Sequence, residues 1–302
     1  MEDMITGLCP QCGHTLHIPA ELESFSCMYC GARLTKEQLA AEPPAAQEAD
    51  EDRAAYYDRA VSRLGWCIKN FGGYQKKIMR DVFFEAFETY ETGCAPVIQE
   101  LARGVAPEQQ TQLLGRAAAA MLDELEAGWQ KKGDMEDEKI VLAIFFVPMV
   151  RKQQLPISEE FVTILQKQWV ERYPKSPFYL GDYESISGGF RKKFLGLCFI
   201  TTAVCQELGK PDDCEELTAF RAFRDGYLRS QPDGEALIQE YYNIAPGIVT
   251  CINTCSDRHA SYARIREEYL APCYQDLLAG RNESCKARYV RMVRDLEREY
   301  LS

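Results

Sequence analysis

The sequence predicts a mostly α-helical chain headed by a small module of short β-hairpins, and three observations predict it. Near the N-terminus, "LCPQCGHTLHIPAELESFSCMYCGARL" sets two CxxC pairs among short alternating stretches. From Tyr56 onward apolar residues recur every three or four positions, as in Val82, Phe83, Phe87 and Tyr90, or Leu113, Leu114, Ala117, Met121, Leu122 and Leu125. Between the two, residues 37–55 form an acidic, Ala-rich linker containing Pro43-Pro44.

The first element, residues 1–36, carries Cys9, Cys12, Cys27 and Cys30, with each pair followed by glycine. This is the spacing of a zinc ribbon: tetrahedral zinc takes four thiolates at ~2.3 Å, and each CxxC turn supplies two from one tight loop. Gly13 and Gly31 directly after the knuckles tolerate the positive φ that lets such a turn close. "HTLHIP" and "ESFS" are expected as strands. So small a unit cannot build a sufficient core, and the metal supplies the missing stability. His14 and His17 are expected on the surface, because four cysteines complete the shell. A closed four-thiolate site leaves no position for water, so its role is structural or one of recognition. Thr35 with Gln38 forms a possible capping box opening a short helix before the linker.

Residues 56–193 are expected as helices ending in a loop. Pro107 sits where a first helical turn accepts proline, and "SEEFVTILQKQWVERYP" should start at a Ser158 cap and stop before Pro174. Residues 174–193, with two prolines and Gly188-Gly189, break the helical pattern and are expected as the one long loop. Residues 194–302 form a second helical region.

Composition bounds the function. The chain has 302 residues, 46% hydrophobic and 27% charged, enough to bury a good core. "IVLAIFFVPMV" and "FLGLCFITTAVC" are well short of the ~20 residues that span a bilayer, so no membrane anchor is expected. "MEDMITGLCPQCG" has acids where a secretory signal carries positive charge, and a cytoplasmic location is expected. There the thirteen cysteines would persist as thiols or metal ligands. A net charge of −11 disfavours nucleic acid, and the ribbon itself sets Arg33 and Lys36 against Glu2, Asp3, Glu21 and Glu23, net −2.

In the C-terminal region, "CFITTA" is followed by "LTAFRAFRDGYL" and "GEALIQEYYNIAPGIV". This succession, from residue 198 to about 250, resembles the bacterial Cys-Phe-Ile-box C-terminal (CFI-box-CTERM) domain. The resemblance implies a bacterial source and a helical C-terminal unit, and it brings no catalytic residue with it. By pattern, "FLGLCFITTAVCQELG" is a buried helix with Leu195, Cys198, Thr202 and Cys205 near one stripe and Gly209 as its C-cap. Thr201 and Thr202 can return hydrogen bonds to the preceding turn. Arg221 and Asp225 are spaced as an i,i+4 pair, and Arg224 is expected to meet a nearby acid. Of Tyr241 and Tyr242, one should face the core and the other a polar partner.

Packing is the favoured role for the C-terminal thiols. A second thiol or metal site would draw on Cys198, Cys205, Cys214, Cys255 and His259. Cys198 and Cys205 lie ~10 Å apart along a helix and cannot share a metal directly. Cys214 is expected in the first turn of a helix behind an Asp212–Glu215 capping box, and His259 one turn beyond Cys255, itself one turn beyond Cys251. No catalytic triad, phosphate loop or dinucleotide fingerprint is present. The expectation is therefore a zinc-binding cytoplasmic protein that recognises a protein partner without catalysis, holding one structural Zn²⁺. A thiol- or metal-dependent enzyme is the alternative, and nucleic-acid binding through the ribbon the less favoured third.

Overall fold

The computed structural model describes residues 4–11, 15–39, 50–191 and 198–301. The chain divides into two compact units, Met1–Asp52 and Arg53–Ser302; the described residues are mostly α-helical, with short hairpins in the first.

In the first unit, β1 (Met4–Leu8) pairs antiparallel with β2 (Thr15–Pro19), placing Ile5 opposite Ile18 and Gly7 opposite Leu16. β3 (Ser24–Ser26) pairs likewise with β4 (Arg33–Thr35), Phe25 opposite Leu34. Strand alternation sends Leu16 and Ile18 inward and leaves His17 exposed between them. The core is Cys9, Leu16, Ile18, Cys27 and Leu34, with Ile5, Phe25, Ala32 and Leu39 packed around it. Two of its five buried members are cysteines, and isolated two-stranded hairpins are marginal in water. The capping-box carboxamide is present: Gln38 Oε1 accepts from Thr35 N–H at 2.9 Å, opening a single 3₁₀ turn over Lys36–Gln38. The linker stretch 40–49 lies outside the described residues.

The second unit opens with α1 (Asp50–Leu64), α2 (Trp66–Lys69), α3 (Phe83–Gly104), α4 (Gln110–Gly128) and α5 (Lys132–Val141). It continues with α6 (Val147–Lys152), α7 (Ser158–Arg172), α8 (Tyr183–Arg191), α9 (Phe199–Glu207) and α10 (Glu215–Ala222). α11 (Gly234–Cys255), α12 (Arg258–Ile265), α13 (Ala271–Leu278) and α14 (Asn282–Tyr300) complete it. The predicted faces are buried at Phe83, Phe87 and Tyr90 on α3 and at Leu114, Ala117, Met121, Leu122 and Leu125 on α4, whereas Val82, the cap of α3, and Leu113 are half-buried. The apolar run Ile140–Val150 is buried throughout. Among the described residues no helix is long and apolar enough to cross a membrane. The central element is α11, which packs against α5 and α8 from the first half of the unit and α9 and α14 from the second.

Two local expectations change. Ser158 is the first residue of α7, not its cap, which is Ile157. Its Oγ instead accepts from Leu155 N–H at 3.1 Å and donates to Val150 O at 2.8 Å, tying the turn between α6 and α7. The expected long loop 174–193 contains a helix, α8, despite Gly188-Gly189. Asp182 starts it by accepting from Ser185 N–H and Oγ, both at 2.8 Å, and Ile186 and Phe190 are buried, which offsets the roughly 1 kcal/mol that each helical glycine costs. The connection ahead of α8 is pinned as well: Trp169 Nε1 donates to Ser176 O at 2.7 Å, and Tyr179 N–H to Thr254 O at 2.7 Å.

Candidate metal centre

Hairpin geometry brings Cys9, Cys27 and Cys30 together, with sulfurs all within 4.8 Å of one another. Cys9 follows β1, and Cys27 and Cys30 flank the turn that leads out of β3. That turn closes as its glycine requires: Gly31 has φ +74°, its N–H donates to Cys27 O at 2.8 Å, and Cys27 N–H donates to Ala32 O at 2.8 Å. A Cβ at Gly31 would meet no neighbour, so the backbone conformation alone demands glycine there. The Cys9 and Cys30 sulfurs are 3.8 Å apart. Four bonds of ~2.3 Å in a tetrahedron set sulfurs about 3.8 Å apart, so these three could hold a metal ion. Cys12, Gly13 and His14 lie outside the described residues. The cluster contains no histidine, and Cys9 and Cys27 are buried while Cys30 is exposed.

No cluster of three metal-ligating groups forms in the second unit among the described residues. α11 ends at Cys255 and Ser256 turns extended, so His259 does not continue the helical face that carries Cys251 and Cys255. His259 is 81% exposed, with its Nδ1 on the Glu207 carboxylate. Cys255 is buried, and that burial pushes its thiol up to about 12. Burial raises the Cys198 thiol as well, with Arg224 and Arg221 pulling it the other way. Cys214 is itself the N-cap of α10, not a first-turn residue, because Asp212 is drawn away to Arg221 at 2.7 Å. This places the Cys214 sulfur 3.9 Å from that of Cys205.

The segments around Cys198, Arg224 and Tyr241 converge. Cys198 caps α9 without a side-chain capping bond, and Tyr241 OH accepts from Ile200 N–H at 3.0 Å instead, satisfying one of the amides a helix start leaves open. Thr201 Oγ and Tyr289 OH are 3.1 Å apart, and Tyr289 OH lies 3.4 Å from Tyr241 OH. Arg224, buried, grips Asp225 through Nε at 2.8 Å and Nη2 at 2.6 Å and points Nη1 at Cys198 Sγ, 3.6 Å away. Cys198, Arg224, Tyr241 and Tyr289 line a cavity of about 60 Å³ with Phe223 and Ile238.

Three sequence expectations are corrected here. Asp225 pairs bidentately with Arg224 and not with Arg221, because residues Phe223–Leu228 wind as a wider π turn that breaks the i,i+4 spacing. Thr201 bonds to Tyr289 and not to its own helix, while the buried Thr202 Oγ1 finds no hydrogen-bond partner. Both Tyr241 and Tyr242 are buried, since α11 is covered on several faces. The sequence signal for this cluster was the ordered succession of the three segments, not any ligand spacing. Tyr241→Phe is expected to leave Ile200 N–H buried and unpaired and to cost about 1–3 kcal/mol, read as a shifted urea midpoint at unchanged slope.

Compared with protein-family models, curated proteins and solved structures, the chain has no match.

Proposed function

We propose that this chain is a cytoplasmic bacterial protein in which a zinc ribbon, closed by Cys9, Cys12, Cys27 and Cys30, recognises a protein partner without catalysing a reaction. The observation that carries the reading is the surface of the second knuckle: between Cys27 and Cys30, Met28 is 82% exposed and Tyr29 57% exposed. A metal-closed turn holds its two intervening residues in fixed positions, so their apolar surface is presented at little entropic cost. Met and Tyr are residue types favoured at protein interfaces, and Tyr is a frequent hot spot. The acidic balance of the module argues against a phosphate backbone as its target. Four thiolates leave no open coordination position, which argues against hydrolysis at the metal. The fourth ligand is assigned to Cys12 by the match of its spacing to that of the second pair.

The test is photo-cross-linking in the source cells, with a photoreactive residue at Met28 and, as control, at the exposed Leu278 of α13. A discrete protein adduct at Met28 and none at Leu278, reduced about tenfold or more by Tyr29→Ala at unchanged metal content, is the expected result. Adducts to nucleic acid, or the same adducts at both positions, would overturn the reading.

A further inference from the structure

Three pairs of thiols stand side by side across helices of the second unit: Cys67 with Cys94, Cys273 with Cys285, and Cys205 with Cys214. The first two pairs are buried at both members. The third is not: Cys214 is half-exposed, whereas Cys205 is 1% exposed. Their approach follows from the end of α9. Gly209, at φ +66°, donates its N–H to Gln206 O at 3.0 Å, and Lys210 N–H reaches Cys205 O at 2.9 Å, so the chain reverses and returns to Cys205. Cys214 makes no side-chain capping bond to α10, and its sulfur lies against Cys205 instead. A carboxylate completes the arrangement. Cys205 Sγ donates to Glu216 Oε2 at 3.9 Å, and Lys210 Nζ holds that same oxygen at 2.7 Å.

We propose that Cys205 and Cys214 form a dithiol site that exchanges with small-molecule disulfides of the glutathione type, Cys214 attacking and Cys205 resolving. Cys214 loses its proton to solvent and attacks one sulfur of the disulfide. A Cys214–S–S–R bond forms, the R–S–S–R bond breaks, and the released thiolate takes a proton from water. Cys205 attacks Cys214 Sγ while Glu216, within reach of its thiol, relays the proton toward the departing sulfur. The intramolecular disulfide forms, the mixed disulfide breaks, and the second thiolate leaves with that proton. The dithiol loses two electrons and two protons, and one small disulfide becomes two thiols. The sulfurs close from 3.9 Å to the ~2.05 Å of a disulfide. The division of labour follows from access and acidity. Burial, then the neighbouring Cys214, pushes the Cys205 thiol up to about 12, so Cys205 is a poor first nucleophile and reacts once the mixed disulfide stands beside it.

The experiment treats the full-length, metal-loaded protein with glutathione disulfide, quenches by alkylation and maps cysteine peptides by mass. The expected product is a Cys205–Cys214 cross-linked peptide, while Cys67, Cys94, Cys273 and Cys285 become alkylatable only on unfolding. Cys205→Ser should stop at a stable glutathione adduct on Cys214. Cys214→Ser, a change at a half-exposed position, should slow modification of Cys205 at least tenfold. The proposal fails if Cys205 and Cys214 both stay reduced, if Cys67–Cys94 or Cys273–Cys285 oxidises as fast in the folded protein, or if the Cys205→Ser adduct forms elsewhere in the unit.

Discussion

Cys27→Ser is expected to release one zinc per chain and to unfold residues 4–39, while the helical signal of residues 53–301 and its urea midpoint stay unchanged. The same result is expected when a high-affinity chelator is added to the unaltered protein. The size of the effect follows from how little else holds the module. Its core is five buried residues, and two of them are the thiols themselves. Only three aliphatic side chains, Leu16, Ile18 and Leu34, remain beside the thiols, and two-stranded hairpins are marginal in water on their own. Structural zinc contributes about 10–16 kcal/mol in small zinc-finger peptides at neutral pH, so removing one ligand removes the largest stabilising term in the unit. Elemental analysis read together with hydrogen exchange on peptides from 4–39 checks the prediction. If the variant keeps its metal, or if the metal is iron, the ribbon assignment fails. If the metal leaves and the hairpins stay protected, the hairpins do not depend on it.

The helical body was legible because its sequence repeats what its packing needs: Phe83, Phe87 and Tyr90 recur at helical period and are buried together. The approach of the Cys9, Cys27 and Cys30 thiols was legible for a similar reason, since a CxxC turn such as the second is a local device whose geometry is written in five consecutive residues. What escaped was set by contacts between distant segments. α8 was hidden because Gly188-Gly189 outweighed the Asp182–Ser185 cap, and only the burial of Ile186 and Phe190 tips the balance. Arg224 was assigned a nearby acid without naming it, because a π turn changes which residues share a helix face and no spacing rule announces one. The thiols are the clearest case. Spacing along one helix sets Cys198 and Cys205 ~10 Å apart and offers Cys205 no thiol neighbour, yet Cys205 meets Cys214 through the reversal at Gly209. The spacing that would set His259 one turn beyond Cys255 assumes a continuous helix, and α11 ends between them.

Glycine shows the same divide within one residue type, and it supplies the second large effect. Gly247→Ala is expected to destabilise the body by about 3 kcal/mol or more, above the usual cost of overpacking. A Cβ at Gly247 would stand 1.9 Å from Ile78 O and 3.1 Å from Ile78 C, a clash with main chain and not with a side chain that could swing aside. The segment it would displace is itself fixed to α11, through Arg80 N–H on Asn243 O at 3.0 Å and Asp81 N–H on Asn243 Oδ1 at 3.1 Å. Relieving the overlap therefore breaks these hydrogen bonds or shifts the central helix, and the roughly 1 kcal/mol of helix propensity that alanine brings cannot offset either. Gly188→Ala, on α8, is expected to do the opposite. Nothing lies within 4 Å of its added Cβ, so the propensity gain of about 0.5–1 kcal/mol is realised without a steric cost. Urea denaturation of the two variants beside the unaltered chain decides the matter. A Gly247→Ala protein that loses less than ~1 kcal/mol would mean that α11 and the Ile78 backbone do not cross this closely. A Gly188→Ala protein that is destabilised would mean that the glycine pair is needed for something other than helix. The glycine of "IAPGIV" is thus a packing requirement: it stands there because a second backbone crosses the helix at that turn.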